Sequence, residues 1–212
     1  MTQNTDYISV GKIATAEYIE KKSRFIATVY PINSEEEAFS LINAEKKKYW
    51  DARHTCYAFR LKAAVPYEKY GDDGEPSGTA GLPILDVLKG REVLNCLITV
   101  TRYFGGVLLG TGGLVRAYST SAKQALENGG LVKKLLYRES RIAIDYSLLG
   151  KIEHTIEKKG YIQGEKVFTD KVGLSVFTPE EEAESFALEM ENITNGALKA
   201  EKGDIKYIEV PL

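Results

Sequence analysis

The apolar run VLNCLITVTRY, residues 93–103, constrains the fold more than any other stretch of the chain. Its aliphatic residues do not alternate with polar ones, which is the pattern of a strand buried on both faces. A strand of that kind needs covering layers on each side, so its neighbours in sequence must supply helices or further strands. It leads into FGGVLLGTGG and then into a helix predicted over about residues 114–127. On that helix Val115, Tyr118, Ala122, Ala125 and Leu126 form one apolar stripe, with Arg116, Thr120, Lys123 and Glu127 opposite.

The residues before this run read as a strand, a helix, a strand and a turn-rich segment. KKSRFIATVYPI is β-branched and aromatic and ends at Pro31. A helix follows, opened by the capping pair Ser34 and Glu37 and carrying Ala38, Leu41 and Ile42 at helical spacing. HTCYAFRLK alternates, placing His54, Cys56 and Ala58 on one face and Thr55, Tyr57 and Phe59 on the other. In YGDDGEPSGTAGLP the pair Asp73-Gly74 is a hairpin signal. Pro83 suits the first turn of a short helix, PILDVLK, closed by Gly90.

NGGLVKKLLYRES reads as a junction. Beyond it RIAIDY, LLGKIEHTIEKKG, IQGEKVF, KVGLSVF, PEEEAESFALEMENITNG and IKYIEV give the order β-α-β-β-α-β, the ferredoxin-like split unit. The fold class is therefore α+β in two domains, residues 1–135 and 136–212, a division that the length of 212 residues accommodates.

Charge and cysteine content exclude several functions. A formal net charge of −2 argues against strong, sequence-blind nucleic-acid binding by the whole chain, and no DNA sequence specificity is expected, although a local basic groove fits this value. No apolar run approaches the roughly 20 residues that span a bilayer, so no membrane association is expected. The polar start MTQNTDYISV lacks the regions of a signal peptide. Cys56 and Cys96 have no CxxC spacing. The expectation is a cytoplasmic protein with reduced thiols, no metal centre and no cofactor.

Two segments carry candidate chemistry. In VTRYFGGVLLGTGGLVRAYS, glycines at a strand end and at a helix start expose backbone N–H groups beside a positive helix terminus. Arg102 and Arg116 are suited to phosphate, and Tyr103 or Phe104 to stacking a base. The candidate anion or nucleic-acid site is thus Arg102, Tyr103, Phe104, Gly105, Gly106, Gly110, Gly112, Gly113 and Arg116. Neither the P-loop nor the dinucleotide fingerprint fits, and glycines used only for tight turns and close packing remain the competing account.

The second segment is GDDGEPSGTAG, with His54, Asp72, Asp73, Glu75, Ser77 and Thr79 as secondary-loop candidates. Its acids could hold Mg²⁺ through carboxylates and waters, or form a solvated polar turn. A Cys56–His54 nucleophile lacks any sign of an activated thiol. Cys96 reads as core, and His154 and Trp50 as surface positions.

Taken together, HTCYAF, YGDDGEPSGTAGLPILDVL and VTRYFGGVLLGTGGLVRAYSTSAKQAL resemble the IMPACT family and its bacterial branch, that of YigZ and YvyE. The resemblance implies a first domain like the second domain of ribosomal protein S-five and a second like the ferredoxin-like domains of elongation factor G. Eukaryotic members regulate translation by interfering with activation of the kinase that senses amino-acid starvation. The resemblance supplies no agreed catalytic residues.

Two functions follow as expectations. The first is a non-catalytic regulator linked to translation, binding RNA, the ribosome or a translation-associated protein through the Gly/Arg-rich groove. The alternative is a small-molecule enzyme acting on a phosphorylated or nucleotide substrate, with residues 105–113 as the phosphate cradle and Asp72, Asp73 or Glu75 on Mg²⁺.

Overall fold

The computed structural model describes residues 6–196, 198 and 200–212, and divides the chain into two compact units. One comprises Tyr7–Lys133 with Glu209–Leu212, the other chiefly Lys134–Ile208.

In the first unit, β1 (Tyr7–Val10) precedes a five-stranded antiparallel sheet of β2 (Ala14–Glu20), β3 (Ser23–Pro31), β4 (His54–Leu61), β5 (Tyr67–Gly71) and β6 (Cys96–Tyr103). The strand order is β2-β3-β6-β4-β5. The apolar run 93–103 thus supplies the central strand, buried at every position from Cys96 to Arg102. Its two faces are covered differently. Phe25, Ala27, Val29, Cys56, Ile98 and Val100 pack against α2 (Gly81–Gly90) and α3 (Gly110–Gly129). Tyr30, Ile32, Phe59 and Leu97 pack against Ala38 and Ile42 of α1 (Glu35–Lys48).

Local signals explain α1 well. Ser34 accepts from the Glu37 N–H, the Glu37 carboxylate accepts from the Asn33 N–H, and three glutamates fill the first turn. The start of α3 differs from expectation. It begins at Gly110, a turn before the predicted start, so that three glycines lie in its first turn despite their low helix propensity. Packing of Leu114, Ala117 and Tyr118 into the core holds that turn in place. Val115, expected on the buried stripe, is exposed instead, because Leu114 takes the core-facing position. Asp73-Gly74 forms a tight turn with φ of +44° and +86° at the two residues, but it joins β5 to the loop before α2 rather than closing a hairpin.

β7 (Leu131–Ile144) carries the chain into the second unit, which continues with α4 (Leu149–Lys159), β8 (Ile162–Phe168), β9 (Val172–Pro179), α5 (Ala183–Ile193) and β10 (Glu201–Pro211). β10 pairs with β7, β7 with β9 and β9 with β8, the strand arrangement of the split βαβ unit. Ile142, Ile144, Ile152, Ile156, Leu174 and Phe186 are among its core residues. The chain is α+β with two domains, as its sequence implies. No helix among the described residues is long and apolar enough to cross a membrane.

Candidate functional site

The two glycine-rich segments meet the sheet at the same end of β6, and they satisfy their polar groups in opposite ways. The Asp72 carboxylate accepts from the N–H groups of Gly78 (2.8 Å), Ala80 (3.1 Å) and Gly81 (2.8 Å), acting as the cap that α2 lacks from its own N-cap residue, Ala80. Asp73 accepts from the Thr55 N–H at 2.7 Å and pairs with Lys46 at 2.5 Å. The Asp73 carbonyl lies 2.8 Å from His54 Nδ1, which must donate, since a carbonyl only accepts. The Thr79 hydroxyl donates to the Pro76 carbonyl, while Ser77 is exposed.

Glu75 turns inward. One of its oxygens accepts both from Arg102 Nη1 (2.7 Å) and from the Tyr118 hydroxyl (2.8 Å), and all three side chains are buried. Asp72, Asp73 and Glu75 are therefore each occupied within the fold, and no three metal-ligating side chains converge among the described residues. The Mg²⁺ cradle of the enzyme reading has no counterpart here. Nor does the Cys–His nucleophile. Cys56 Sγ is buried 2.9 Å from the Asp72 carbonyl and 3.5 Å from the Tyr118 hydroxyl, and burial pushes its thiol well above the ordinary range. Cys96 is likewise buried in the core. Burial is also the main cause that pushes the Tyr118 hydroxyl upward, with Cys56 and Glu75 adding to it.

Arg102, expected as a phosphate ligand, is a structural cation. Its guanidinium lies between the rings of Phe25 and Phe104, at 5.5 and 5.6 Å from their centroids, with one Nη1 bond to Glu75 and its Nε buried without a partner. Tyr103 donates to Asp51 at 2.7 Å, which raises its hydroxyl pKa, and the Arg24 guanidinium covers its ring. One face of the Tyr103 ring is thus already taken, while Phe104 is half exposed.

The glycines divide by role. A Cβ on Gly105 would stand 2.1 Å from the Lys22 carbonyl carbon, so this position admits only glycine, and its N–H donates to Ser23 Oγ. Gly106 and Gly110, at φ of +84° and +69°, make the two bends of the loop and face open space. Gly112 and Gly113 lie within the first turn of α3, which has neither a side-chain cap nor an acidic residue.

What this loop presents to solvent is apolar. Phe104, Val107 and Leu108 are 49%, 44% and 83% exposed, Val115 is exposed beside them, and no charged residue lies between Arg102 and Arg116. Arg116 itself is exposed and makes no ion pair among the described residues. The sequence reading missed Lys21 and Lys22, which form the β2–β3 turn against which Gly105 packs. A charge-free run as long as 103–115, joining the end of a buried strand to a helix start, is the signal that marks this surface.

The Impact N-terminal domain family matches residues 21–126, and a domain of unknown function, DUF1949, matches residues 142–197. The IMPACT family member YvyE of Bacillus subtilis is 37% identical over 203 residues, covering 96% of this chain and 94% of YvyE. The chain belongs to the IMPACT family. A crystal structure described as that of a hypothetical protein aligns with this IMPACT-family chain at a TM-score of 0.60 and 30% identity, over 94% of this chain and 98% of the other. The two-domain translational regulator Yih1 is 27% identical over 57% of this chain and 47% of its own, with a TM-score of 0.36, too low to bear on the fold. Both glycine-rich segments fall within the Impact N-terminal match.

Proposed function

We propose that this IMPACT-family chain is a non-catalytic regulator linked to translation, which acts by docking a ribosomal or translation-associated protein on residues 104–109 and the first turns of α3. The observation that carries this reading is the exposed, charge-free loop of Phe104, Val107 and Leu108, which begins where Gly105 packs on the β2–β3 turn. Contiguous exposed apolar surface of this sort marks protein interfaces, where aliphatic and aromatic side chains form the dry centre and charges stay at the rim. Membership of the IMPACT family adds the link to translation that the resemblance implies for its eukaryotic members. The commitment of Arg102 to Glu75 removes the strongest argument for a phosphate-binding groove.

The test is co-sedimentation of the chain with ribosomal particles, together with its effect on reporter synthesis in a reconstituted translation reaction. The expected result is association that persists as salt is raised and is lost in Leu108→Asp. Absence of both association and effect overturns the reading, and association that salt abolishes and RNase releases replaces protein docking with RNA binding.

A further inference from the structure

Resting on that docking reading, the charges around the loop specify what kind of polypeptide fits. We infer that this surface takes an acidic amphipathic segment, whose apolar side chains cover Phe104, Val107, Leu108 and Val115 and whose carboxylates meet Lys21, Lys22 and Arg116.

The placement of the three cations is the first ground. Gly105 packs so closely on the Lys22–Ser23 backbone that the Lys21-Lys22 turn borders the apolar loop directly. Arg116 Nη1 lies 3.9 Å from where a Cβ on Gly112 would stand, on the first turns of the helix that ends the loop. Positive charge thus stands at the turn that Gly105 touches and on the second turn of the helix into which the loop runs.

Their lack of partners is the second ground. Arg24, Lys46, Arg60, Lys69 and Arg102 of the same unit are each ion-paired. Lys21, Lys22 and Arg116 have no ion pair among the described residues, as is also true of Lys12, Lys47, Arg53, Arg91 and Lys123, but only Lys22 is brought by its backbone against the exposed apolar loop.

The third ground is backbone conformation. Lys21 and Lys22 both hold positive φ, +44° and +69°, in a two-residue hairpin turn. Asn-Gly is the pair that adopts this turn with least strain, whereas lysine carries a Cβ that disfavours it. Two lysines in a strained turn beside an exposed apolar loop are a costly choice for a surface turn, one that a use for their charge would offset.

The same surface is poorly made for single-stranded nucleic acid. Of its exposed side chains only Phe104 is aromatic, Val107, Leu108 and Val115 being unable to stack a base, and the Arg24 guanidinium already lies over the Tyr103 ring.

A displayed library of random 12-residue peptides, selected on the full chain and counter-selected on Leu108→Asp, tests the inference without a known partner. The expected outcome is enrichment of sequences that interleave Asp or Glu with large apolar residues. Binding of the enriched peptide, followed by fluorescence anisotropy, should weaken about five- to tenfold in Arg116→Ala and in Lys21→Asn/Lys22→Gly, with a shallower salt dependence. The second variant keeps, and relaxes, the turn, so lost binding cannot be ascribed to misfolding. Enriched peptides without acidic residues, no enrichment, or binding indifferent to both variants would overturn the inference. So would a 12-nucleotide single-stranded RNA that binds as tightly through the same three cations. If the acidic bias is missing while Leu108→Asp still loses ribosomal association, the inference fails and the docking reading stands.

Discussion

The loop at residues 71–81 and the loop at residues 104–113 are both rich in glycine, and both end at a helix start, yet they solve opposite problems. The first is the more polar, and nearly all of that polarity is turned inward. Asp72 caps α2, Asp73 ties down the start of β4, and Glu75 neutralises Arg102. The second loop carries no charge, leaves the α3 start uncapped and shows its aliphatic side chains to solvent. Polar residues in a loop therefore say little about function until their partners are known. In this protein the acids build the scaffold and the apolar residues face outward.

The largest effect that would break the contrast is loss of the buried pair. Glu75→Ala leaves the Arg102 guanidinium buried without its counter-charge, which should cost about 3–5 kcal/mol in urea unfolding. A cost near zero would mean that Glu75 is a free loop acid after all. Gly105→Ala comes next. The new methyl collides with the Lys22 backbone, which cannot rotate away as a side chain would, so about 2–3 kcal/mol of stability should be lost, and the loop displaced.

Tyr118→Phe removes one of the two donors on Glu75 and should cost about 1 kcal/mol at neutral pH. The pH dependence sharpens this. Burial holds the folded Tyr118 hydroxyl above the ordinary tyrosine value of about 10, so the folded chain keeps a proton that the unfolded chain releases. The stability contributed by this hydroxyl is complete below pH of about 10 and falls as pH rises beyond it, so the gap between wild type and Tyr118→Phe should narrow in alkaline solution. A gap constant with pH would place Tyr118 outside the buried network. Leu108→Asp should have the smallest effect on stability, within about 0.5 kcal/mol of wild type, while abolishing association with the partner. A large loss of stability would show that Leu108 belongs to the core.

Much of the scaffold was legible because its signals are local. The uninterrupted apolar run announced β6, Ser34 and Glu37 announced the start of α1, and element order announced the second unit. β2 escaped notice because its inward positions, Ala14, Ala16 and Tyr18, make only a weak alternation that gains meaning where α3 covers them. α3 starts earlier than its sequence predicts, because core contacts override the low helix propensity of glycine. In the candidate site, the glycine-rich loop and Arg116 are legible in the sequence as candidates, whereas the pairing of Arg102 with Glu75 is not, because the two lie 27 residues apart.

By itself the sequence determined the class of fold, the two-domain order and the family, because capping, periodicity and motif spacing depend on residues that are near neighbours in the chain. Tertiary structure alone decided which charges are free. Arg102 meets Glu75 across 27 residues and Tyr118 meets Glu75 across 43, whereas Lys22 comes to lie against Gly105 through a backbone contact that no spacing rule anticipates. Whether a charge is consumed by the fold or offered to a partner depends on what lies within about 4 Å of it, and that distance is set by packing.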